Sequence, residues 1–216
     1  MIIAAHQPNF LPNLAFFSKM KAVDKFIIIT NLQFEKSEGW QHRHKLSGKN
    51  GDIWLTVPAL GSQNQLIRDV RIKNGLPWSR KHKRTIQLLY THSKEKHIIS
   101  QISKLYDQNW DRLVDLNVAF IKLIAAVLEI KTPIIIDEKC SGKEHKLLIH
   151  LCKKYNADTY LSGVGAKLYM TKDYLDEIET SGIKHKIVDR NLTVEFPYST
   201  VHYLLSEGRD WVNNHI

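Results

Sequence analysis

Apolar residues along the chain fall into two rhythms. Unbroken runs occur at residues 2–5, 26–29 and 133–136, with further strand-like segments at 158–161 and 183–188. Short runs of this kind mark strands covered on both faces, as in parallel sheets. Between the first two, residues 14–23 repeat apolar positions at helical spacing. Leu14, Phe17, Met20 and the aliphatic stem of Lys21 are predicted to face inward there. Strand, helix and strand in this order, the second strand at 25–30, predict a parallel, right-handed βαβ unit.

The pattern then changes twice. Residues 33–34, 41–46, 53–57 and 69–72 are short and strand-like, broken by turns such as Gly48-Lys49-Asn50-Gly51, and predict an antiparallel meander. From Trp78 the spacing becomes helical, over 78–90, 94–106 and 110–128, with Asn109 as N-cap of the third helix. After the run at 133–136, residues 143–155 form an amphipathic helix expected to bury Leu147, Leu148, Leu151 and Cys152. A helix at 173–180 stops at Gly182, and residues 199–213 read as a closing helix. The predicted fold is α/β: a Rossmann-like, mostly parallel sheet with a short antiparallel extension and a helical insertion at about residues 78–130. A single domain over residues 1–216 accommodates all of it.

Composition narrows this little. At 43% hydrophobic and 25% charged the 216-residue chain is ordinary for a globular protein. A net charge of +9 attracts polyanions, but the densest basic run is only Arg80-Lys81-His82-Lys83-Arg84, the pattern of a solvated helix face around a packed Trp78. Cys140 and Cys152 make no CxxC or zinc-finger spacing and fit a reduced compartment. With neither a secretory leader nor a spanning run in view, a cytoplasmic location is expected.

Two loops concentrate the candidate chemistry. His6-Gln7-Pro8-Asn9-Phe10-Leu11-Pro12 follows the first strand directly. Ligands of open α/β sheets sit outside the carboxyl ends of strands, and a histidine there can serve as acid, base or hydrogen-bond donor. His6 is therefore the candidate catalytic residue, with Gln7 and Asn9 as ligand contacts. The second loop, Ser162-Gly163-Val164-Gly165-Ala166-Lys167, follows the strand at 158–161. Glycines let backbone amides approach an anion, and Lys167 supplies charge, so Ser162, Gly163, Gly165 and Lys167 are candidate anion contacts. Trp40, Arg43 and His82 are assigned supporting contacts. His42 and His44 alternate along a strand and read as part of a polar sheet face; no metal is assigned. No P-loop, GxSxG or GxGxxG is present.

These segments resemble the WbqC-like family. The resemblance rests on residues 5–12 with Phe16-Phe17, Gln33-Phe34 with Trp40, residues 54–58, Trp78 with His82 and Thr85-Ile86, and Tyr160-Leu161-Ser162-Gly163. Ala166 and Met170 depart from the family's Gly-rich turn and Tyr-Leu-Asp. The resemblance implies a bacterial or archaeal protein encoded among genes for surface polysaccharide or modified-sugar biosynthesis. The expected function is that of an enzyme transferring or ligating a small group on a nucleotide-linked or phosphorylated sugar. A non-catalytic ligand binder or scaffold of a glycan pathway is the alternative, and a basic nucleic-acid binder a further one. Positioning and charge stabilisation at these loops need no covalent nucleophile. The partner expected is a small anionic substrate, a nucleotide sugar among the candidates, with no specific nucleic acid; cofactor and oligomeric state stay unassigned.

Overall fold

The computed structural model describes residues 1–36, 39–62 and 64–216. The βαβ unit is present as β1 (Ile2–His6), α1 (Leu14–Lys21) and β2 (Lys25–Ile29). Helix α1 starts where Asn13 accepts a hydrogen bond from the Phe16 amide, supplying a partner to one of the free N–H groups of the first turn. The antiparallel extension follows, with β3 (Arg43–Gly48) paired to β4 (Gly51–Thr56), then β5 (Ala59–Leu60) paired to β6 (Arg71–Ile72). Three helices, α2 (Trp78–Leu89), α3 (Lys96–Tyr106) and α4 (Leu113–Val127), form the insertion. The chain then returns to β7 (Ile134–Asp137), α5 (Glu144–Lys154), β8 (Thr159–Ser162), α6 (Lys172–Thr180) and β9 (Lys184–Ile187). It closes with α7 (Leu192–Glu195), α8 (Thr200–Ser206) and α9 (Arg209–His215).

Among the described residues the central sheet has five strands in the order β7-β2-β1-β8-β9, and each neighbouring pair is parallel. Strand alternation sorts the core into two layers. Ala4, Phe26, Ile28 and Leu161 join a cluster with α1, α4 and α8, whereas Ile3, Ala5, Ile27, Ile29 and Tyr160 pack with Leu148, Leu151, Cys152 and Ile178 from α5 and α6. Chain order therefore reverses between β1 and β8. The connection leaving β1 covers one face and the connection leaving β8 covers the other. This is the topological switch point, where a crevice opens at the carboxyl edge of such sheets.

Several local expectations are corrected. The buried lysine of α1 is Lys19; Lys21 is exposed, because the inward stripe runs through Phe16, Met20 and Val23, and its ammonium reaches the carbonyls of Asn213 and Ile216. Asn109 caps nothing. Residues 110–112 are held extended against β6 through Ile72 N to Asp111 O and Leu113 N to Val70 O, so α4 starts only at Leu113. The closing helix is two, broken at Gly208, whose φ of +96° lies outside the helical range. Leu147 is only half-buried, and His145 of α5 takes a buried place instead. His42 and His44 do not form a polar sheet face. Both are buried where the hairpin covers the core, against Phe34 and Trp40 respectively, while Arg43 and Lys45 between and beyond them are less covered.

Candidate functional site

His6 ends β1, and the loop that follows is anchored on three sides. The Asn117 side-chain amide of α4 donates to the carbonyls of Pro8 and Gln41, each at 2.7 Å. Phe10 N donates to Trp40 O at 2.9 Å, and Thr200 N of α8 to Pro12 O at 2.8 Å. Pro8, Phe10, Leu11 and Pro12 are buried, and Leu11 adopts a φ of +44° that the surrounding packing sustains. Much of the motif is thus a structural clamp joining sheet, hairpin and helices. What it leaves at the strand end are His6, Gln7 and Asn9, all half-buried. Gln7 is fixed by a hydrogen bond from Gln41, whereas the Asn9 side chain has no hydrogen-bond partner among the described residues.

The state of His6 follows from its surroundings. Its ring meets Phe16 edge-on at 4.9 Å, and Nδ1 lies 2.9 Å from the Gln7 carbonyl. A carbonyl only accepts, so Nδ1 carries the proton and Nε2 is left as an acceptor. Burial, reinforced by the charge of Lys19 and opposed by the Gln7 hydrogen bond, pushes the His6 pKa down to about 3. The imidazole is neutral at physiological pH and a weak base, suited to accepting a hydrogen bond through Nε2 rather than presenting positive charge.

The cation at this site is Lys19. Its side chain is 7% exposed, its ammonium donates to the Ala5 carbonyl at 3.0 Å and lies 5.9 Å from the Phe26 ring centre. The β1–β8 ladder stops at Ile3–Tyr160 while the β1–β2 ladder runs on to His6–Ile28, so Ala5 lies past the last pair on the β8 side. Among the described residues no carboxylate pairs with Lys19. Desolvation alone brings its pKa down to about 8, leaving it mostly charged at neutral pH. A buried cation without a counter-ion at a switch point is a natural place for an anionic group. Its sequence signal was a lysine on the inward stripe of α1, between Phe16 and Met20.

Across the switch point, Ser162 ends β8. Its hydroxyl lies 2.8 Å from Nε2 of His185 on β9, a histidine that burial keeps below its usual pKa. The adjoining glycines are not required by the backbone. Gly163 has φ −72° and ψ 167°, Gly165 has no positive φ, and a Cβ on either would meet nothing within 4 Å. Open space in front of two glycines leaves room for a ligand to lie against the main chain.

The remaining candidates are distributed unevenly. The His6 ring lies on the α1 face and Ser162 projects to the opposite face, so the two meet only across the strand ends. Lys167 is exposed, on the short 3-10 helix Val164–Leu168 of the β8–β9 connection, and shares no contact with His6. His82 is a core residue, within 6 Å (5.5–5.9 Å between ring centres) of Phe10, Trp78 and Tyr106, with burial bringing its pKa down to about 4. Trp40 and Trp54 stack at 6.0 Å and stay 41% and 45% exposed, with the Arg43 guanidinium 4.9 Å from the Trp54 ring. They form an aromatic, cationic surface whose backbone is tied to the His6 loop. An open groove of about 570 Å³ runs along the other flank of α1, lined by Ala15, Ser18, Leu161, Lys186 and Asp189. It excludes His6, but Leu161 places its wall next to Ser162. Among the described residues no cluster of His, Cys, Asp or Glu is arranged to hold a metal ion, and no helix is long and apolar enough to cross a membrane.

Comparison with known proteins gives a family without assigning a reaction. The chain is 28% identical over 183 residues to the uncharacterized protein Rv1507c of Mycobacterium tuberculosis, covering 82% of this chain and 78% of that one. No solved structure matches it significantly. The sequence profile of the WbqC-like protein family matches residues 7–203, from the loop behind His6 through Ser162 and into α8, and the chain belongs to that family.

Proposed function

We propose that the crevice between the carboxyl ends of β1 and β8 binds an anionic small molecule, a nucleotide-linked or phosphorylated sugar, and that the protein transfers a small group on it. The observation that carries this reading is Lys19, a buried cation without a carboxylate partner, beside a neutral His6 at the switch point. Lys19 offsets the charge of the ligand, Nε2 of His6 accepts a hydrogen bond from a reacting hydroxyl or amine and orients it, and the Gly163–Gly165 backbone offers a close approach. Family membership is compatible with a role in surface-polysaccharide or modified-sugar biosynthesis, and a reduced cytoplasmic setting suits the two buried free thiols.

Thermal-shift measurements with UDP-glucose, ATP, inorganic phosphate and a short oligonucleotide test the reading. Selective stabilisation by a small phosphorylated ligand is expected, about 2.7 kcal/mol at a concentration of 100 times Kd. The same shift should vanish in Lys19→Met. Stabilisation by the oligonucleotide alone, collapsing steeply with salt, would instead assign the positive charge to nucleic acid and end the proposal.

A further inference from the structure

We infer that Ser162 and His185 form a second reacting centre, in which the Ser162 hydroxyl accepts an acyl group from an activated ester or thioester. This rests on the crevice reading above and deepens it by naming the group transferred as acyl. Sequence inspection gave no reason to pair these residues, which lie 23 positions apart on adjacent strands. The β8–β9 register sets Tyr160 opposite His185 and Ser162 opposite Ile187, so all four side chains share one face and Ser162 meets His185 diagonally.

Three features separate this contact from an ordinary buried serine. The Oγ to Nε2 distance of 2.8 Å is a hydrogen bond between a hydroxyl and the ring nitrogen of a general base. Burial lowers the His185 pKa, so the imidazole is unprotonated and able to take the proton at neutral pH. The serine stands at the carboxyl end of its strand, directly before Gly163 and the open space in front of Gly163 and Gly165. Neither glycine carries a side chain to block a carbonyl group approaching from that side.

The step balances without a further co-reactant. Oγ attacks the acyl carbon as its proton passes to Nε2 of His185. The bond to the alkoxide or thiolate leaving group breaks, and that group departs with the proton from His185. The acyl-Ser162 ester is then attacked by a hydroxyl or amine of the crevice-bound sugar, or by water. The attacking group gives its proton to His185, which returns it to Oγ as the ester breaks.

p-Nitrophenyl acetate is the probe. The full chain should release nitrophenolate in a burst approaching one equivalent, with acetyl found by peptide mass spectrometry on Ser162. Ser162→Ala should abolish that burst, and His185→Gln should slow it by about 100-fold or more. Circular dichroism and the thermal midpoint report whether each variant folds. If Ser162→Ala does not, Ser162→Cys decides: the new thiol should be acetylated in the same position, and more slowly once His185→Gln is added. Absence of a burst in the folded wild-type protein, or a burst that survives in folded Ser162→Ala, overturns the inference. Phosphorylated ligands are measured separately on the wild-type protein and on Lys19→Met, so a failed acylation leaves the crevice reading standing, and a failed ligand shift is read with Ser162 intact.

Discussion

Replacing Lys19 by methionine should make the protein more stable and less functional at once. Methionine keeps an unbranched stem of similar length in the space beside Phe16 and Phe26 and removes only the buried charge. A pKa lowered from 10.5 to about 8 places a penalty of about 3 kcal/mol on the charged form in the fold, at about 1.4 kcal/mol per unit. Losing the donor to the Ala5 carbonyl costs about 1–2 kcal/mol in return, leaving a net gain of about 1–2 kcal/mol at pH 7. The pH dependence supplies the sharper signature. The unfolded chain holds the lysine proton up to pH 10.5 and the folded chain only to about 8, so the wild-type penalty is complete below pH 8 and fades between those values. The advantage of Lys19→Met should therefore shrink as pH rises through that window and reverse above it, where only the lost hydrogen bond remains. Urea unfolding of both proteins at pH 7, 8.5 and 10, taken as a difference, cancels the other titrating groups. A variant less stable than wild type at pH 7, or a difference that does not move with pH, refutes the account of Lys19 as a buried, uncompensated cation. Stability gained with phosphorylated-ligand binding lost is the trade expected of a charge retained for function.

Other perturbations test neighbouring parts of the argument. Asn117→Ala removes both hydrogen bonds that clamp the His6 loop, and should cost about 3 kcal/mol in urea unfolding and speed hydrogen exchange at the Phe10 amide. Gly163→Ala and Gly165→Ala enter open space at ordinary backbone angles, so stability should change by less than about 0.5 kcal/mol while affinity for the phosphorylated probe falls; a large stability loss would make these glycines structural. On acidification from pH 6.5 towards 4, His44 and His82 stay neutral in the fold while the unfolded chain takes up protons, so stability should fall across that window. His82→Phe should flatten this acid limb in a pH series of thermal midpoints. An unchanged limb would mean that His82 titrates alike in the folded and unfolded chains.

Much of the fold was legible because buried parallel strands and amphipathic helices write their periods directly into the sequence. The run at 26–29 is apolar throughout because β2 lies inside the sheet and is covered on both faces, whereas the edge strand β7 carries a similar run with Ile136 43% exposed, and α2, α3 and α4 keep their apolar stripes. Errors arose where a distant segment set the local outcome. Residues 110–112 pair with β6, which delays α4 past the plausible cap at Asn109, and His42 and His44 are buried because the hairpin folds over the core.

The candidate site divides along the same line. Sequence alone determined that His6 and Ser162-Gly163 each lie at the carboxyl end of a strand, since strand ends are marked by local changes of apolar period and by Pro and Gly. Only the tertiary structure decided that these two strands are neighbours at the point where the sheet order reverses, which brings loops about 150 residues apart to one edge. It likewise moved His82 into an aromatic core, left Lys167 outside, and introduced Lys19 and His185. Whether an ionisable side chain meets water, a carbonyl or another ring depends on which elements pack against it. Periodicity along one chain carries the direction a residue faces, but not what it faces.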